Sequence, residues 1–438
     1  MRILLSAYAC LPNAGTEPGN GWNWAMHLAE RGMKVHVLTV VEGRDSIEAH
    51  RQVHPNPMVD FSYVELPGSF KECSVPHYVL WQWLAIKTAR QLHAATPFDI
   101  AHHVTYGSIH VPTQLWRLGL PVIFGPVGGG QTTPASMLGL LASDKKSEQL
   151  RTLFTRALSY SPLHRRWIRK MSVVLATNQD TLELVRSMGR RDVELQFDTA
   201  LPESFLATEP RIFSEAPQPL RLLWVGRMLP RKALPLTLDI LARTTYPSTL
   251  TIIGEGLEKD VLQKMISDRG LENRVSWAGR RLPWSEVRDA YMEHDALIFT
   301  SLRDSCAAQL LESMALGLPV ITLDLHGARN LVPDSAGIKV PVTTPEGVVR
   351  DVAAAVERYA TLPASERTRM SRAGWEFARE MTWTARAEHA EQMYRRVIVG
   401  RNTTYSEWTE ASNSVLPDIV SSPDEGAANS GRPLSLPN

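Results

Sequence analysis

Two acidic side chains, Asp304 and Glu312, stand with seven residues between them in the stretch TSLRDSCAAQLLESMALGLPVIT, residues 300–322. The preceding run ALIFT is typical of a buried strand, and QLLESMALG is typical of a helix that ends at Gly317. Asp304 is therefore expected in a loop at the end of a strand, and Glu312 about one turn into the next helix. Carboxylates accept hydrogen bonds from hydroxyl groups, so a nucleotide sugar would use both, with Glu312 on the ribose and Asp304 near the sugar ring.

Glu312 has a second interpretation, as a solvent-facing residue of an ordinary helix. Its neighbours Leu310, Leu311 and Met314 argue against this, because they tie the helix to a core. A carboxylate placed beside a core is costly unless another group pairs with it.

A basic pair, Arg227 and Lys232, follows the strand-like run LRLLWVG in the segment VGRMLPRKALPLTLDIL. Two full positive charges at the end of a strand can neutralise a diphosphate without a metal ion. The adjacent Arg231 is expected to point to solvent. The alternative interpretation is a solvated basic loop with no ligand.

A glycine-containing loop, CLPNAGTEPGNGW, follows the first strand-like run and leads into a helix predicted from Gly21. Gly15 and Gly19 would let a phosphate approach the backbone, and a helix N-terminus supplies free N–H donors. The pattern is neither GxGxxG nor a Walker motif, so a flexible turn is an equally good interpretation.

Short apolar runs alternate with helical patterns along most of the chain, which predicts two Rossmann-like, doubly wound α/β domains facing a central cleft. A proline-containing linker, TEPRIFSEAPQP, separates them. We expect strands near 61–65, 99–104, 121–124, 173–176 and 193–196, and again near 249–253, 274–277, 296–299 and 319–323. The predicted units are an N-terminal domain (1–205), a C-terminal domain (206–385), a helix that crosses back to the first domain (386–400) and a disordered tail (401–438).

The composition excludes several classes of protein. Lys and Arg total 47 against 46 Asp and Glu, so no global field would gather nucleic acid. Three scattered cysteines indicate neither a disulfide framework nor a zinc site. The N-terminal run is too short for a secretion signal, and no apolar stretch is long enough to span a bilayer. These features predict a cytoplasmic protein.

Four motifs in this order resemble the family 4 (group 1) retaining glycosyltransferases, which have the GT-B fold. They are the glycine loop after the first strand, VGRMLPRK, IIGEG and DSCAAQLLESMALGLPVI. The similarity covers residues 1–400. It implies transfer of a sugar from a nucleotide-diphosphate donor to an acceptor hydroxyl with retention of configuration, without metal or further cofactor.

The resemblance also implies roles for particular residues. Arg227 and Lys232 would bind the diphosphate, Glu312 the ribose, and Gly15 and Gly19 a phosphate or the sugar from the opposite domain.

Two departures from the family pattern concern the donor sugar. Asp304 replaces the usual first glutamate, and Ser305, Cys306 and Ala307 replace a Gly-Phe-Gly segment whose backbone N–H groups contact the sugar. Alanine still offers its N–H, so the departures bear on donor preference rather than on activity.

Two histidines, His102 and His103, end a strand in FDIAHHVTYGS, where the family commonly has a histidine near the reacting carbon. Because side chains alternate along a strand, one of them is expected to face the cleft, and the Asp-x-x-His spacing from Asp99 favours His102. A core histidine is the alternative for each. GPVGGGQ, residues 125–131, is expected at the acceptor side of the cleft or in a tight turn, and Arg280 near the nucleotide base.

The acceptor is predicted to be a sugar or a lipid-linked molecule in cell-surface polysaccharide or glycolipid synthesis. Residues 145–170 carry eight basic residues and one acidic residue with Leu, Phe and Trp between them. One interpretation is a peripheral contact with the inner face of the cell membrane, and the other is an ordinary amphipathic helix pair.

Two rival functions remain for this sequence. A nucleotide-sugar epimerase on the same fold usually lacks the spaced acidic pair. A non-catalytic nucleotide-sugar binding protein is suggested by the altered segment 304–307 and would not hydrolyse the donor.

Overall fold

The computed structural model describes residues 1–67, 74–214, 218–257, 259–278 and 282–400. The predictions made for Arg280 and for the tail 401–438 fall outside these residues, as does Cys73.

The first sheet has seven parallel strands in the order β3-β2-β1-β4-β5-β6-β7. Three of its strands are buried along their whole length and two more along most of it, which agrees with a parallel sheet covered by helices on both faces. The strands are β1 (Arg2–Ala7), β2 (Lys34–Val40), β3 (Val59–Val64), β4 (Ile100–Thr105), β5 (Val122–Val127), β6 (Val173–Ala176) and β7 (Val193–Leu195). The helices are α1 (Thr16–Glu30), α2 (Arg44–Val53), α3 (Val75–Ala95), α4 (Lys145–Ala157), α5 (Pro162–Lys170) and α6 (Gln179–Ser187).

The second sheet has six parallel strands in the order β10-β9-β8-β11-β12-β13. The strands are β8 (Leu220–Val225), β9 (Ser248–Ile253), β10 (Val275–Trp277), β11 (Ala296–Phe299), β12 (Val320–Leu323) and β13 (Gly337–Val340). The helices are α7 (Leu234–Arg243), α8 (Lys259–Ser267), α9 (Trp284–Glu293), α10 (Ala308–Ala315), α11 (His326–Leu331), α12 (Pro345–Thr361), α13 (Ala364–Arg379) and α14 (Trp383–Gly400). Short 3₁₀ segments include Ala135–Asp144 and Pro230–Lys232.

Each sheet reverses its strand order once, between β1 and β4 in the first sheet and between β8 and β11 in the second. Ligands of such sheets bind beyond the carboxyl ends of the strands at this switch. The loops after β1, β8 and β11 carry most of the predicted site residues. The predicted two-domain α/β architecture is therefore confirmed.

Helix α1 begins at Thr16, not at Gly21 as predicted. Its first turns contain Pro18, Gly19 and Gly21, which have low helix propensity and so hid the start of the helix. Close packing of the backbone explains Gly19. A Cβ on Gly19 would lie 2.0 Å from the carbonyl oxygen of Ala14, so the loop can pack against this helix only at a residue without a side chain.

The last helix, α14, returns to the first domain and packs against α1. Trp383 and Tyr394 are buried in the core of that domain, and the ring of Trp383 lies 5.9 Å from that of Trp24. No helix in the described ranges is both long and apolar enough to cross a bilayer.

A second segment that packs into the other domain was not predicted. The segment Ala135–Asp144 follows β5, yet its Met137 and Leu141 are completely buried in the core of the second domain. The segment lies against the 3₁₀ turn Pro230–Lys232. This contact holds the first domain against the basic loop after β8.

Candidate active site between the two domains

The loops after β8 and β11 bring Lys232 and Asp304 into a direct ion pair. Lys232 is buried, and its ammonium also lies 5.1 Å from the centre of the Phe299 ring. Asp304 accepts a second hydrogen bond from the Ser301 hydroxyl at 2.9 Å. Burial by itself would raise the pKa of Asp304, but the charges of Lys232 and Arg231 outweigh it and lower that pKa below its ordinary value. Asp304 is therefore ionised near neutral pH.

Arg231 does not point to solvent, as the sequence had suggested. Its side chain is partly buried, close to the carboxylate of Asp304 and to the cations Arg303 and Arg227. Burial lowers the pKa of Arg231, Asp304 opposes this shift, and the two neighbouring cations add to it. Among the described residues no hydrogen-bond acceptor pairs with the guanidinium of Arg231 or of the exposed Arg227. Both groups remain available to an anion.

The loop that contains IIGEG, residues 252–256, packs against the basic loop after β8. Gly226 has a φ of +156° and Gly254 a φ of +154°, values that favour glycine. A Cβ on Gly254 would lie 1.8 Å from the carbonyl oxygen of Gly226. The two loops can therefore touch backbone to backbone only because both residues are glycines.

Glu312 lies one turn into α10, with each carboxylate oxygen bound by a neighbouring side chain. The Tyr291 hydroxyl donates at 2.9 Å and the Trp284 indole N–H at 3.3 Å. Burial raises the pKa of Glu312, and these two hydrogen bonds lower it only in part. A carboxylate oxygen has two lone pairs, so each can accept one more hydrogen bond from a ligand.

The segment Ser305–Ala307 lies against both domains. Asn178 of the first domain donates its side-chain N–H to the carbonyl oxygen of Ser305 at 3.1 Å. A Cβ on Gly128 would lie 2.9 Å from Cβ of Ser305, so a glycine of GPVGGGQ permits this close approach. In the described parts of the chain, the N–H groups of Ser305, Cys306 and Ala307 have no acceptor. Of the three residues, Ala307 is buried and Ser305 and Cys306 are partly buried.

Three titratable groups that the sequence did not single out as a cluster meet beside this segment: Glu17, Asp198 and the Cys306 thiol. Glu17, from the first turn of α1, accepts backbone hydrogen bonds from Tyr106 and Gly107. Burial and then the charge of Glu17 raise the pKa of Asp198 to about 7. Burial, followed by Asp198, also raises the pKa of Cys306, whose thiol donates to the aspartate. Of these three residues, Glu17 could have been found from the sequence, because it lies within the glycine loop CLPNAGTEPGNGW.

An ion pair joins the two domains across the cleft. Arg303, from the loop after β11, donates two hydrogen bonds to Glu148 of α4, at 2.9 Å from Nε to Oε2 and at 2.6 Å from the terminal nitrogen to Oε1. The Thr133 hydroxyl adds a third at 3.0 Å. No local pattern signals this pair, because its members are 155 positions apart.

His102 and His103 lie on opposite faces of β4, as side-chain alternation requires, but neither faces the cleft. Both rings are fully buried, and each nitrogen has a partner in the protein. His102 contacts the Tyr394 hydroxyl at 2.5 Å and the Gly125 carbonyl oxygen at 2.7 Å. His103 contacts the Ser6 hydroxyl at 2.9 Å and the Tyr78 hydroxyl at 2.8 Å.

The expectation that one of these histidines faces the cleft is therefore wrong, because helices of the same chain cover both faces of β4. Burial lowers the pKa of both His102 and His103 to about 3, so both are neutral near pH 7. A catalytic role for either histidine stays a prediction that this arrangement does not favour.

Gly15 and Gly19 occupy different environments. Gly15 is exposed at the start of α1 and has open space where a Cβ would be, whereas Gly19 is buried against Ala14. Only Gly15 offers a surface to a ligand. The roles predicted for Arg227, Lys232 and Glu312 remain predictions, although the structure puts Lys232, Asp304 and the segment 305–307 side by side.

Two facing Rossmann-like domains, a returning C-terminal helix and a basic loop in the second domain together define the GT-B class of fold. Residues 219–359 match the family model described as "Glycosyl transferases group 1". The match covers about a third of the chain, and over this segment the resemblance inferred from the motifs is confirmed.

Similar proteins agree with this assignment. The lipopolysaccharide 1,6-galactosyltransferase of Salmonella typhimurium is 28% identical over 169 residues, which are 38% of this chain and 45% of that protein. The chain thus spans less than half the length of this curated relative. The lipopolysaccharide outer core galactosyltransferase WaaB, in its apo form, superposes with a TM-score of 0.63 at 17% identity, over 92% of this chain and 100% of that one. Anabaena Alr3699/HepE in complex with UDP superposes with a TM-score of 0.60 at 15% identity, over 90% of this chain and 99% of that one.

Proposed function

We propose that this protein is a glycosyltransferase that moves a sugar from a nucleotide-diphosphate donor to an acceptor hydroxyl with retention of configuration, in the synthesis of lipopolysaccharide or another polysaccharide. The observation that carries the proposal is the Lys232–Asp304 pair at the cleft, beside two arginines that have no acceptor in the described residues. It lies within the segment that matches the group 1 glycosyltransferases. Galactosyl transfer by the Salmonella relative supports a hexose donor.

Donor binding would rearrange this pair. A diphosphate placed between Arg227 and Lys232 gives the ammonium a stronger anionic partner than Asp304. Asp304 then accepts hydrogen bonds from sugar hydroxyls, and Glu312 uses its remaining lone pairs for the ribose. The open N–H groups of residues 305–307 complete the sugar contacts.

The reaction is a same-face displacement in this proposal. Retaining glycosidases use a nucleophilic carboxylate about 5 Å from an acid. In this proposal Asp304 accepts hydrogen bonds from sugar hydroxyls, and Glu312, held by Tyr291 and Trp284, accepts from the ribose, so neither is assigned as that nucleophile. The acceptor oxygen bonds to the anomeric carbon, the bond from that carbon to the donor phosphate oxygen breaks, and the acceptor proton passes to that oxygen. Arg227 and Lys232 stabilise the charge that develops on the leaving diphosphate, without a metal ion.

The test of this function begins with binding. We expect one or more of UDP, GDP and ADP to raise the melting temperature, because a ligand that binds only the folded state stabilises it. The matching nucleotide sugar, incubated with monosaccharide and lipid-linked saccharide acceptors, should give a product whose anomeric configuration, read by NMR coupling constants, equals that of the donor.

Each rival function has a distinct result in this assay. An inverted product would reject the same-face mechanism. Stabilisation by a nucleotide sugar without transfer or hydrolysis would indicate a binding protein, and conversion of the donor sugar in the absence of acceptor would indicate an epimerase. If no nucleotide diphosphate binds, the proposed function is wrong.

We also propose that α4 and α5 contact an anionic bilayer. On α4, Leu150, Leu153 and Phe154 share one face at helical spacing and are 69%, 66% and 50% exposed. The basic residues Arg156, Arg165, Arg166, Arg169 and Lys170 are exposed on the same helix pair. Apolar side chains enter the interface while the cations approach lipid headgroups, which is typical of peripheral binding.

Vesicle flotation tests the bilayer contact. With vesicles of 30% phosphatidylglycerol we expect most of the protein to float at low salt and much less at high salt, because surface charges are screened. Leu150→Ser combined with Leu153→Ser should lower the bound fraction several-fold. Val53→Ser with Val399→Ser, at sites 71% and 61% exposed, is the matched control and should float as wild type. Equal flotation of both double variants would contradict the proposal.

A further inference from the structure

Among the described residues around two ion pairs of the cleft, cations outnumber carboxylates. Asp304 pairs with Lys232, and Glu148 pairs with Arg303. Three more arginines lie within reach of these pairs and have no carboxylate of their own among the described residues: Arg151, Arg227 and Arg231.

Arg151 comes from the first domain and is held in place by backbone groups. It lies on α4, one turn after Glu148, and its guanidinium donates to the carbonyl oxygens of Gln131 at 2.9 Å and Gly129 at 3.2 Å. These contacts orient the group without neutralising it. Burial, followed by the charge of Arg303, lowers the pKa of Arg151 to about 10, and Arg231 adds to this shift. The carbonyl oxygen of Arg231 accepts from the Leu302 N–H at 2.8 Å, and the next residue, Arg303, is bound to Glu148, one turn before Arg151. Arg151 and Arg231 therefore both lie near the Arg303–Glu148 pair, and they come from opposite domains.

The donor does not account for both of these arginines. A nucleotide-diphosphate sugar carries two negative charges on its diphosphate, and the proposed function assigns them to Arg227 and Lys232. Asp304, released from Lys232 in that arrangement, would balance one of the two remaining arginines, and the other positive charge would have no partner in a partly buried region. Such a charge is unfavourable unless an anion lies beside it.

The other titratable groups near this region do not supply that anion. Glu148 is used by Arg303 and Thr133. His110 lies close to Arg151 and Arg303, and burial, followed by these cations and His164, lowers its pKa to about 4. His110 is therefore neutral near pH 7 and neither adds to the charge nor balances it.

We propose, resting on the proposed function, that Arg151 and Arg231 bind a phosphate group carried by the acceptor, so that the acceptor is a phosphate-linked saccharide or lipid. Two guanidinium groups suit a phosphate, because each can donate a pair of hydrogen bonds to its oxygens. The phosphate serves only to bind the acceptor and is not altered in the reaction. Its position beside Asp304 would direct an attached hydroxyl toward the donor sugar.

The neighbouring surface agrees with a phosphate joined to an apolar chain. Leu150 precedes Arg151 on α4 and is exposed. A lipid phosphate could thus reach Arg151 while its chain follows the exposed apolar face of α4. Free phosphate and a lipid phosphate share the same head group, and the experiment must separate them.

The experiment uses the full chain and three probes: inorganic phosphate, octyl phosphate and uncharged octyl glucoside, each below its micelle concentration. Calorimetric titrations are made alone and again with the best-bound nucleotide diphosphate present at saturation. We expect octyl phosphate to bind with one site per chain in both cases, and octyl glucoside not to bind. Tighter binding of octyl phosphate than of inorganic phosphate indicates a lipid source, and equal binding indicates that the phosphate group suffices.

Arg151→Gln and Arg231→Gln should each weaken octyl phosphate binding by about 10-fold or more, which is the usual effect of losing a charged hydrogen-bond donor. Arg372→Gln, at an exposed site on α13, is the matched control and should bind as wild type. Arg151→Lys keeps the charge and should retain part of the binding. Circular dichroism and melting confirm that the variants fold.

Two results would overturn the inference. One is octyl phosphate binding that is unchanged in Arg151→Gln, and the other is loss of octyl phosphate when the nucleotide saturates, which would place it in the donor site. Failure of the proposed function gives a different result, since no nucleotide diphosphate would bind. The titration of octyl phosphate alone would then still report whether Arg151 and Arg231 hold an anion.

Discussion

Replacing Lys232 by Ala should lower the turnover of sugar transfer by about 10²- to 10³-fold, the usual cost of losing one group that stabilises developing negative charge. The ammonium of Lys232 is buried beside Asp304 and Phe299, where a charge acts through a lower effective dielectric than in water. The measurement is kcat with saturating donor and acceptor.

The same substitution should also destabilise the fold, because it leaves the carboxylate of Asp304 without its cation. Loss of one member of a buried pair costs about 3–5 kcal/mol, and the partial exposure of Asp304 reduces this figure. Activity must therefore be measured well below the melting temperature. Adding Asp304→Asn to Lys232→Ala should restore stability but not turnover.

Lys264→Ala is the matched control for this prediction. Lys264 forms an exposed ion pair with Asp268 on the surface, so its removal should change neither kcat nor stability by more than a small factor. Turnover of Lys232→Ala close to that of Lys264→Ala would reject the role of Lys232 on the leaving diphosphate.

Replacing Glu312 by Gln should weaken nucleotide-diphosphate binding by about 10- to 100-fold, because hydrogen bonds to a charged group are among the stronger ones. The amide oxygen of Gln can still accept from the Tyr291 hydroxyl, so the packing of α9 on α10 is kept. The loss should appear in the ribose contacts. The Kd is measured by calorimetry for the nucleotide that binds best, with Glu293→Gln, at an exposed site on α9, as the control.

Combining the Glu312→Gln substitution with a deoxy nucleotide, as in a double-mutant cycle, makes this prediction specific to the ribose. A 2′- or 3′-deoxy nucleotide should bind wild type more weakly, but should bind Glu312→Gln about as well as the parent nucleotide does, since the same interaction is already lost. Equal losses from the deoxy change in both proteins would show that Glu312 does not contact the ribose.

The pH dependence of binding gives an independent measure. Because burial raises the pKa of Glu312, its carboxylate gains a proton at a higher pH than an ordinary glutamate does. Nucleotide affinity in wild type should therefore decline early on acidification, and Glu312→Gln should lack that part of the decline. A matching pH profile in both proteins would remove Glu312 from the nucleotide site.

The sequence by itself determined the two sheets and most of their strands. Runs such as LRLLWV, interrupted by one arginine, and ALIF are short, mostly apolar segments between turns, and their length and composition indicate buried parallel strands. Strand ends then placed Lys232 and Asp304 at one edge of one sheet, because parallel strands all end on the same side. The helix that carries Glu312 was predictable from its apolar spacing and its terminal glycine.

It was also predictable that the rings of His102 and His103 lie on opposite faces of β4, but whether either ring faces the cleft was not. A period of two assigns the rings to opposite faces of β4. Whether a face is open depends on what covers it, and Tyr394 covers one of them from 292 positions further along the chain. No local pattern carries that information.

Only the tertiary structure decided the contacts between the two domains. The pair of Arg303 with Glu148, the region shared by Arg231 and Arg151, and the burial of Met137 in the second core all depend on how one domain lies on the other. Sequence periodicity reports which face of an element is apolar, because that face is repeated every few residues. It does not report which distant element meets that face, because that is set by the summed packing of both domains.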